Sequence, residues 1–120
     1  MTENTKSFGN KSEDLACKYL EEKKYKIIER NYMYGHGEID IIAKSPDNCL
    51  VFVEVKSRTS TEFGQPEDSV TFSKRKQIRK IASAYLWERQ IDNIECRIDV
   101  IAILFLKGEK PKINHFKDAF

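Results

Sequence analysis

Cysteine is scarce in this chain and badly placed for cross-linking: Cys17, Cys49 and Cys96 are odd in number, widely spaced, and form no Cys-x-x-Cys pair. That excludes a disulfide framework and a zinc knuckle, and leaves three small, mostly buried, reduced residues. Histidine is scarcer still, and His36 and His115 have no zinc-ligand spacing, so both read as surface or structural residues. No apolar run approaches the roughly 20 residues that a membrane helix needs, so nothing is expected to span a bilayer. The opening Met1-Thr2-Glu3-Asn4-Thr5-Lys6 is polar and leads into no apolar segment, which argues against a signal peptide and makes a cytoplasmic address the default expectation. Charge of one sign is also lacking. A net charge of +2 and a pI near 8.4 are too mild to announce nucleic-acid binding by themselves.

What is present describes a globular chain. With 120 residues, 40% hydrophobic and 33% charged, it is expected to form one domain over residues 1–120, with residues 1–6 as a loose arm and a core that needs no disulfide. There is no internal repeat and no low-complexity tract. A first helix is predicted over residues 7–23, because Phe8, Leu15, Ala16, Tyr19 and Leu20 recur at helical spacing. At about 100° per residue Glu13 falls at the margin of that stripe, roughly 20° from Leu20, and Asp14 on the solvent side. A strand over 25–34, a turn at Gly35-His36-Gly37, a strand carrying Asp40, a reversal at Ser45-Pro46-Asp47-Asn48 and a strand carrying Glu54 and Lys56 follow. Residues 57–71 read as a long surface loop. A second helix is predicted from a Ser73 cap, burying Ile78, Ile81, Ala82 and Tyr85, with Lys74 facing the sheet and Lys76, Lys80 and Trp87 facing away. Residues 97–106 are apolar almost throughout, as in a central strand, and residues 112–116 read as an edge strand entered through Pro111.

The order helix, strand, strand, strand, helix, strand, with an extra C-terminal edge strand, makes an α/β core with a mixed sheet, the second helix serving as a crossover. In Val51-Phe52-Val53-Glu54-Val55-Lys56 the period of two puts Glu54 and Lys56 on one face and the three valines on the other. In Gly37-Glu38-Ile39-Asp40-Ile41-Ile42-Ala43, Ile39, Ile41 and Ala43 share one face, and Glu38, Asp40 and Ile42 the other. Paired as a hairpin, the two strands bring Asp40 and Glu54 together. A lone Glu-x-Lys is an ion pair, but two acids facing one side of apolar strands are costly without a cation. Mg²⁺ or Mn²⁺ suits such a hard-oxygen site, with Asp40, Glu54 and the main-chain carbonyl of Val55 as ligands and Glu13 completing or widening it. Lys56 supplies a compact charge for the scissile phosphate or the attacking water. Lys74, Arg75, Lys76, Arg79 and Lys80 crowd one end of the second helix, and Arg58 and Lys74 are the first candidates for phosphate contacts, followed by Arg75 and Arg79. Asp99, interrupting a buried strand, reads as a structural hydrogen-bond acceptor. Phe8, Tyr19, Phe52 and Tyr85 read as core.

Gly37-Glu38-Ile39-Asp40 and Phe52-Val53-Glu54-Val55-Lys56-Ser57-Arg58, with Gly9-x-x-x-Glu13-x-x-Ala16-x-x-Tyr19-Leu20 before them and Asn114-x-x-x-x-Ala119-Phe120 after, resemble the YraN family of small bacterial proteins over nearly the whole chain. That family is similar to the PD-(D/E)xK nucleases of the restriction-endonuclease-like fold, and most closely to archaeal Holliday junction resolvases. The resemblance implies a helix-borne Glu13, a strand Asp40, and Glu54-x-Lys56 around a metal ion. Ile39 stands where the superfamily's name has Pro, and Ser12 where the family often has Gly. The implied function is a Mg²⁺- or Mn²⁺-dependent endonuclease acting on DNA, of resolvase or repair type, with a homodimer expected if two strands are cut symmetrically. The alternative is a non-catalytic module of the same fold that binds nucleic acid or protein and keeps a vestigial acidic pair.

Overall fold

A computed structural model of the chain describes residues 3–62 and 64–120, with side chains from Asn10 onward. The first helix, α1 (Glu3–Glu22), begins ahead of the expected Ser7, so Glu3 to Lys6 extend it rather than form an arm. No helix breaker stands among them, and an acidic residue suits the first turn. Phe8 lies outside the described side chains. The helix stops where Lys24 adopts φ +73° and the Tyr25 N–H closes back on the Leu20 carbonyl at 2.9 Å. Then come β1 (Lys26–Tyr34), β2 (Gly37–Lys44) and β3 (Leu50–Arg58). Among the described residues, no helix is long and apolar enough to cross a membrane.

The chain between β3 and the second helix, expected as a long surface loop, contains one short regular element. Pro66–Ser69 winds into a 3₁₀ turn, with the Asp68 carboxylate accepting the Gln65 N–H at 2.9 Å. The second helix, α2 (Phe72–Glu88), is capped by Thr71, whose hydroxyl accepts the Lys74 N–H at 3.2 Å. The expected cap, Ser73, is therefore inside the first turn. Thr71 takes the role because its own backbone is extended while Ser73 is already helical. β4 (Cys96–Leu104) and β5 (Lys112–Phe116) complete a sheet of order β1-β2-β3-β4-β5. β3 and β4 are parallel, joined by α2, and the other neighbours are antiparallel, which is the mixed α/β sheet expected.

The two helices cover opposite faces. Ala16, Cys17 and Leu20 of α1 pack on Ile41, Ala43, Val51, Val53, Ile101 and Ile103. Ile78, Ile81, Ala82 and Tyr85 of α2 pack on Ile42, Leu50, Phe52 and Ile98. Ile39 departs from the simple alternation, since it joins the α2 cluster and not the face of Ile41 and Ala43. α2 approaches closely there because Gly37 has no side chain: a Cβ would stand 2.7 Å from Ile81 Cδ1 and Gln77 Nε2. Cys17 and Cys49 are buried and all three cysteines are free, but Cys96, at the start of β4, is exposed.

Asp99 ties β4 to the C-terminal end of the chain. It is fully buried and accepts Arg97 Nε at 3.0 Å, the Asp118 N–H at 2.9 Å and His115 Nε2 at 2.6 Å. His115 Nδ1 lies 3.2 Å from the Tyr19 hydroxyl of α1, so a residue expected at the surface or in a structural role takes the structural one. Burial alone would push the Asp99 carboxyl up, but the bonds from His115, Asp118 and Arg97 outweigh it and hold the carboxyl below its ordinary value. A folded value below the unfolded one gives stability that is complete above the unfolded carboxylate range and fades as pH falls from about 4. Asp99→Ala, which removes the shared acceptor of Arg97 Nε, His115 and the Asp118 N–H, should destabilise the fold by about 3–5 kcal/mol in chemical denaturation at neutral pH. Asp99→Asn should flatten the acid limb of the stability profile, and an unchanged limb would remove Asp99 as its source.

Candidate metal and phosphate site

The site forms where β2 parts from β3. Their pairing runs from Lys44↔Leu50 to Ile41↔Val53 and goes no further toward the start of β2. At the next position the ladder bond is replaced: the Asp40 carboxylate accepts the Val55 N–H at 2.7 Å. A strand residue's N–H and C=O leave on the same edge, so the Val55 carbonyl also opens toward Asp40. Glu54 lies between, on the α2 face that carries Phe52. The residue is only 4% exposed, although it belongs to a type rarely buried without a partner.

Two ammonium groups answer Glu54. Lys56 Nζ, two residues along β3, lies 3.2 Å from Glu54 Oε2, and Lys74 Nζ, from the first turn of α2, lies 3.6 Å from the same oxygen. Lys74 thus faces the sheet as the helical spacing predicts, while Lys76, Lys80 and Trp87 are exposed. Asp40 has no such answer, since no cation lies within ion-pair distance of it among the described residues. Burial first, and the neighbouring Glu54 charge second, push its carboxyl up to about 8, with the Val55 N–H opposing and Glu13 and Glu38 adding a little. Both ammonium groups thus face Glu54, and Asp40 has only the Val55 N–H. Were an oxygen-seeking divalent ion bound there, Asp40, Glu54 and the Val55 carbonyl are the residues that could hold it.

Glu13 is not drawn into that pair. Its carboxylate accepts Asn31 Nδ2 at 3.0 Å and faces Arg30 at 3.5 Å, and it reaches Asp40 only through its field. Among the described residues, no group of three or more His, Cys, Asp or Glu side chains converges to hold a metal. The remaining basic candidates divide. Arg58 ends β3, half-buried, on the strand that carries Glu54 and Lys56. Arg75 and Arg79 instead turn toward the C-terminal segment, with the Arg75 guanidinium 5.3 Å from the centre of the Phe120 ring. The bond from Val55 to Asp40 has no signature in the sequence, because pairing patterns do not show where one strand leaves another.

The model of a family described as "Uncharacterised protein family UPF0102" matches residues 12–103. A UPF0102 protein of Clostridium beijerinckii is 47% identical, covering 96% of this chain and 94% of its own length. Another, from Geobacter metallireducens, is 47% identical over 100% of this chain and 97% of its own. A third, from Desulforamulus reducens, is 45% identical over 95% of both.

The raised Asp40 carboxyl has a measurable consequence. A folded value above the unfolded one of about 3.9 gives stability that is complete below that value and is lost as pH rises through about 8. Metal-free protein should therefore lose thermal stability between about pH 5 and 9, and Asp40→Asn should remove that slope. Added Mn²⁺ should raise the melting temperature more at pH 8.5 than at pH 5.5. A wild-type profile identical to that of Asp40→Asn would contradict the assignment.

Proposed function

Given that the chain belongs to the UPF0102 family, we propose that it is a Mg²⁺- or Mn²⁺-dependent endonuclease that hydrolyses phosphodiester bonds in DNA, with branched or repair intermediates as the substrate class. The observation that carries this reading is the placement of Asp40, Glu54 and Lys56 at the fork between β2 and β3, with Asp40 lacking a cation partner among the described residues. The resemblance to the YraN family and to PD-(D/E)xK nucleases, residue by residue at Asp40, Glu54 and Lys56, supports the same reading.

Asp40 and Glu54, with the Val55 carbonyl, would hold the ion. Bound there, a divalent cation polarises a phosphoryl oxygen and lowers the pKa of water. The chain's own groups do the positioning. Lys56 is half-buried and its ammonium can turn from Glu54 to a phosphate oxygen or to the attacking water, placing charge where the transition state gathers it. Lys74 and Arg58, on either side, are suited to hold the flanking phosphates without reading sequence. The Asp40 carboxylate keeps its orientation through the Val55 N–H, so a ligand atom is fixed by the backbone of the strand that bears the other ligand.

One observation favours the non-catalytic alternative: both lysines already neutralise Glu54, as in a site kept for its ion pairs. Cleavage assays separate the readings. With Mn²⁺ and a panel of linear, nicked and branched DNAs, wild type should cut at least one member, and Asp40→Ala and Glu54→Ala should each lower the rate by at least about 10²–10³-fold with the fold intact by circular dichroism. Lys74→Ala should weaken DNA binding and reduce the slope of log affinity against log salt by about 1. Equal cleavage by wild type and both carboxylate variants would exclude the nuclease reading.

A further inference from the structure

The face of the sheet that carries Glu54 continues into a second concavity. Glu54 is in register with Val100, and Val100 with Phe116. Val100 and Phe116 both line a cavity of about 650 Å³ whose other walls include Arg75, Lys117, Phe120 and Glu67. Two strand spacings put Phe116 roughly 10 Å from the strand of Glu54. The C-terminal wall is held in place, because the Ala119 N–H donates to the Ile98 carbonyl at 2.7 Å and the Asp118 N–H to Asp99.

The lining is mixed in a particular way. Phe116 is 38% exposed on β5, and the Arg75 guanidinium covers the Phe120 ring. Arg75 and Lys117 offer charge to a phosphate, whereas Glu67 and Asp68 in the same lining would repel one. Glu67 Oε1 is buried and has no hydrogen-bond partner among the described residues, so this wall holds an acceptor in want of a donor. An apolar peptide would leave these charges unserved. An unpaired nucleobase meets all three needs: a flat face for the aromatic rings, a phosphate for the cations, and, on most bases, exocyclic N–H groups for the acids.

We propose that this cavity takes an unpaired base of single-stranded or splayed DNA, next to the phosphate held at Asp40 and Glu54. The placement of that phosphate rests on the nuclease reading, but binding of the base does not. A paired base keeps its faces stacked within the duplex and cannot enter.

Fluorescence anisotropy in EDTA tests this without any cleavage, using a fluorescein-labelled oligodeoxynucleotide of mixed sequence, alone and annealed to its complement. The single strand should bind at least about tenfold more tightly than the duplex. Phe116→Ser should weaken single-strand binding by about fivefold or more and leave duplex binding unchanged. Phe116→Leu, which keeps the apolar packing of β5 but removes the ring, should show the same loss. Equal affinity for the two DNAs, or wild-type single-strand binding by both variants, would overturn the proposal. Single-strand preference without metal-dependent cleavage would remove the nuclease reading and keep the cavity, and duplex cleavage without that preference would do the reverse.

Discussion

One hydrogen bond organises the site, the donation from the Val55 N–H to the Asp40 carboxylate. It stands where β2 stops pairing with β3, so it closes the sheet and opens the site with a single contact. Without it the Val55 N–H would be an orphan at a strand fork, and a buried unpaired amide costs about 1–3 kcal/mol. With it, a carboxylate is fixed beside the strand that carries a second one. The close approach of α2 at Gly37, which brings the helix down near Asp40, lets the first turn of α2 deliver Lys74 to the same place.

The charges there are unequal by construction. Glu54 has two ammonium partners within 3.6 Å and Asp40 a backbone N–H, while burial first and the Glu54 charge second raise the Asp40 carboxyl to about 8. Elsewhere in the sheet a buried acid is fully answered: Asp99 has a guanidinium, an imidazole and an N–H, and its carboxyl is held low. Asp99 is fully buried and Asp40 half-buried; burial pushes both carboxyls up, the donors around Asp99 outweigh it, and the Glu54 charge beside Asp40 adds to it.

Most of the architecture is readable from periodicity. The period of two puts Glu54 and Lys56 opposite the valines of β3, and the helical period aims Lys74 at the sheet, because each rests on burial of the residues beside it. What was not readable depends on contacts distant in sequence. Ile39 leaves the face of Ile41 where β2 still pairs with β1 but no longer with β3, which no local pattern records. Thr71 rather than Ser73 caps α2 because of where the chain turns, not because of residue type. Cys96 is exposed because it sits at a strand end and not within it. Glu13 lies at the margin of its stripe as the wheel predicts, yet Asn31 and Arg30 engage it. The cavity under Phe116 and Phe120 joins β5, α2 and the 3₁₀ turn, segments whose adjacency only the sheet order reveals.

The proposal that a divalent ion is held between Asp40 and Glu54 is what the nuclease reading stands on. Electron paramagnetic resonance of Mn²⁺ titrated into metal-free protein at pH 8.5 tests it directly, because bound ion loses the sharp signal of the free ion. The account predicts one Mn²⁺ taken up per wild-type chain and none by Asp40→Asn or Glu54→Gln. No uptake by wild type, or undiminished uptake by both variants, would contradict it.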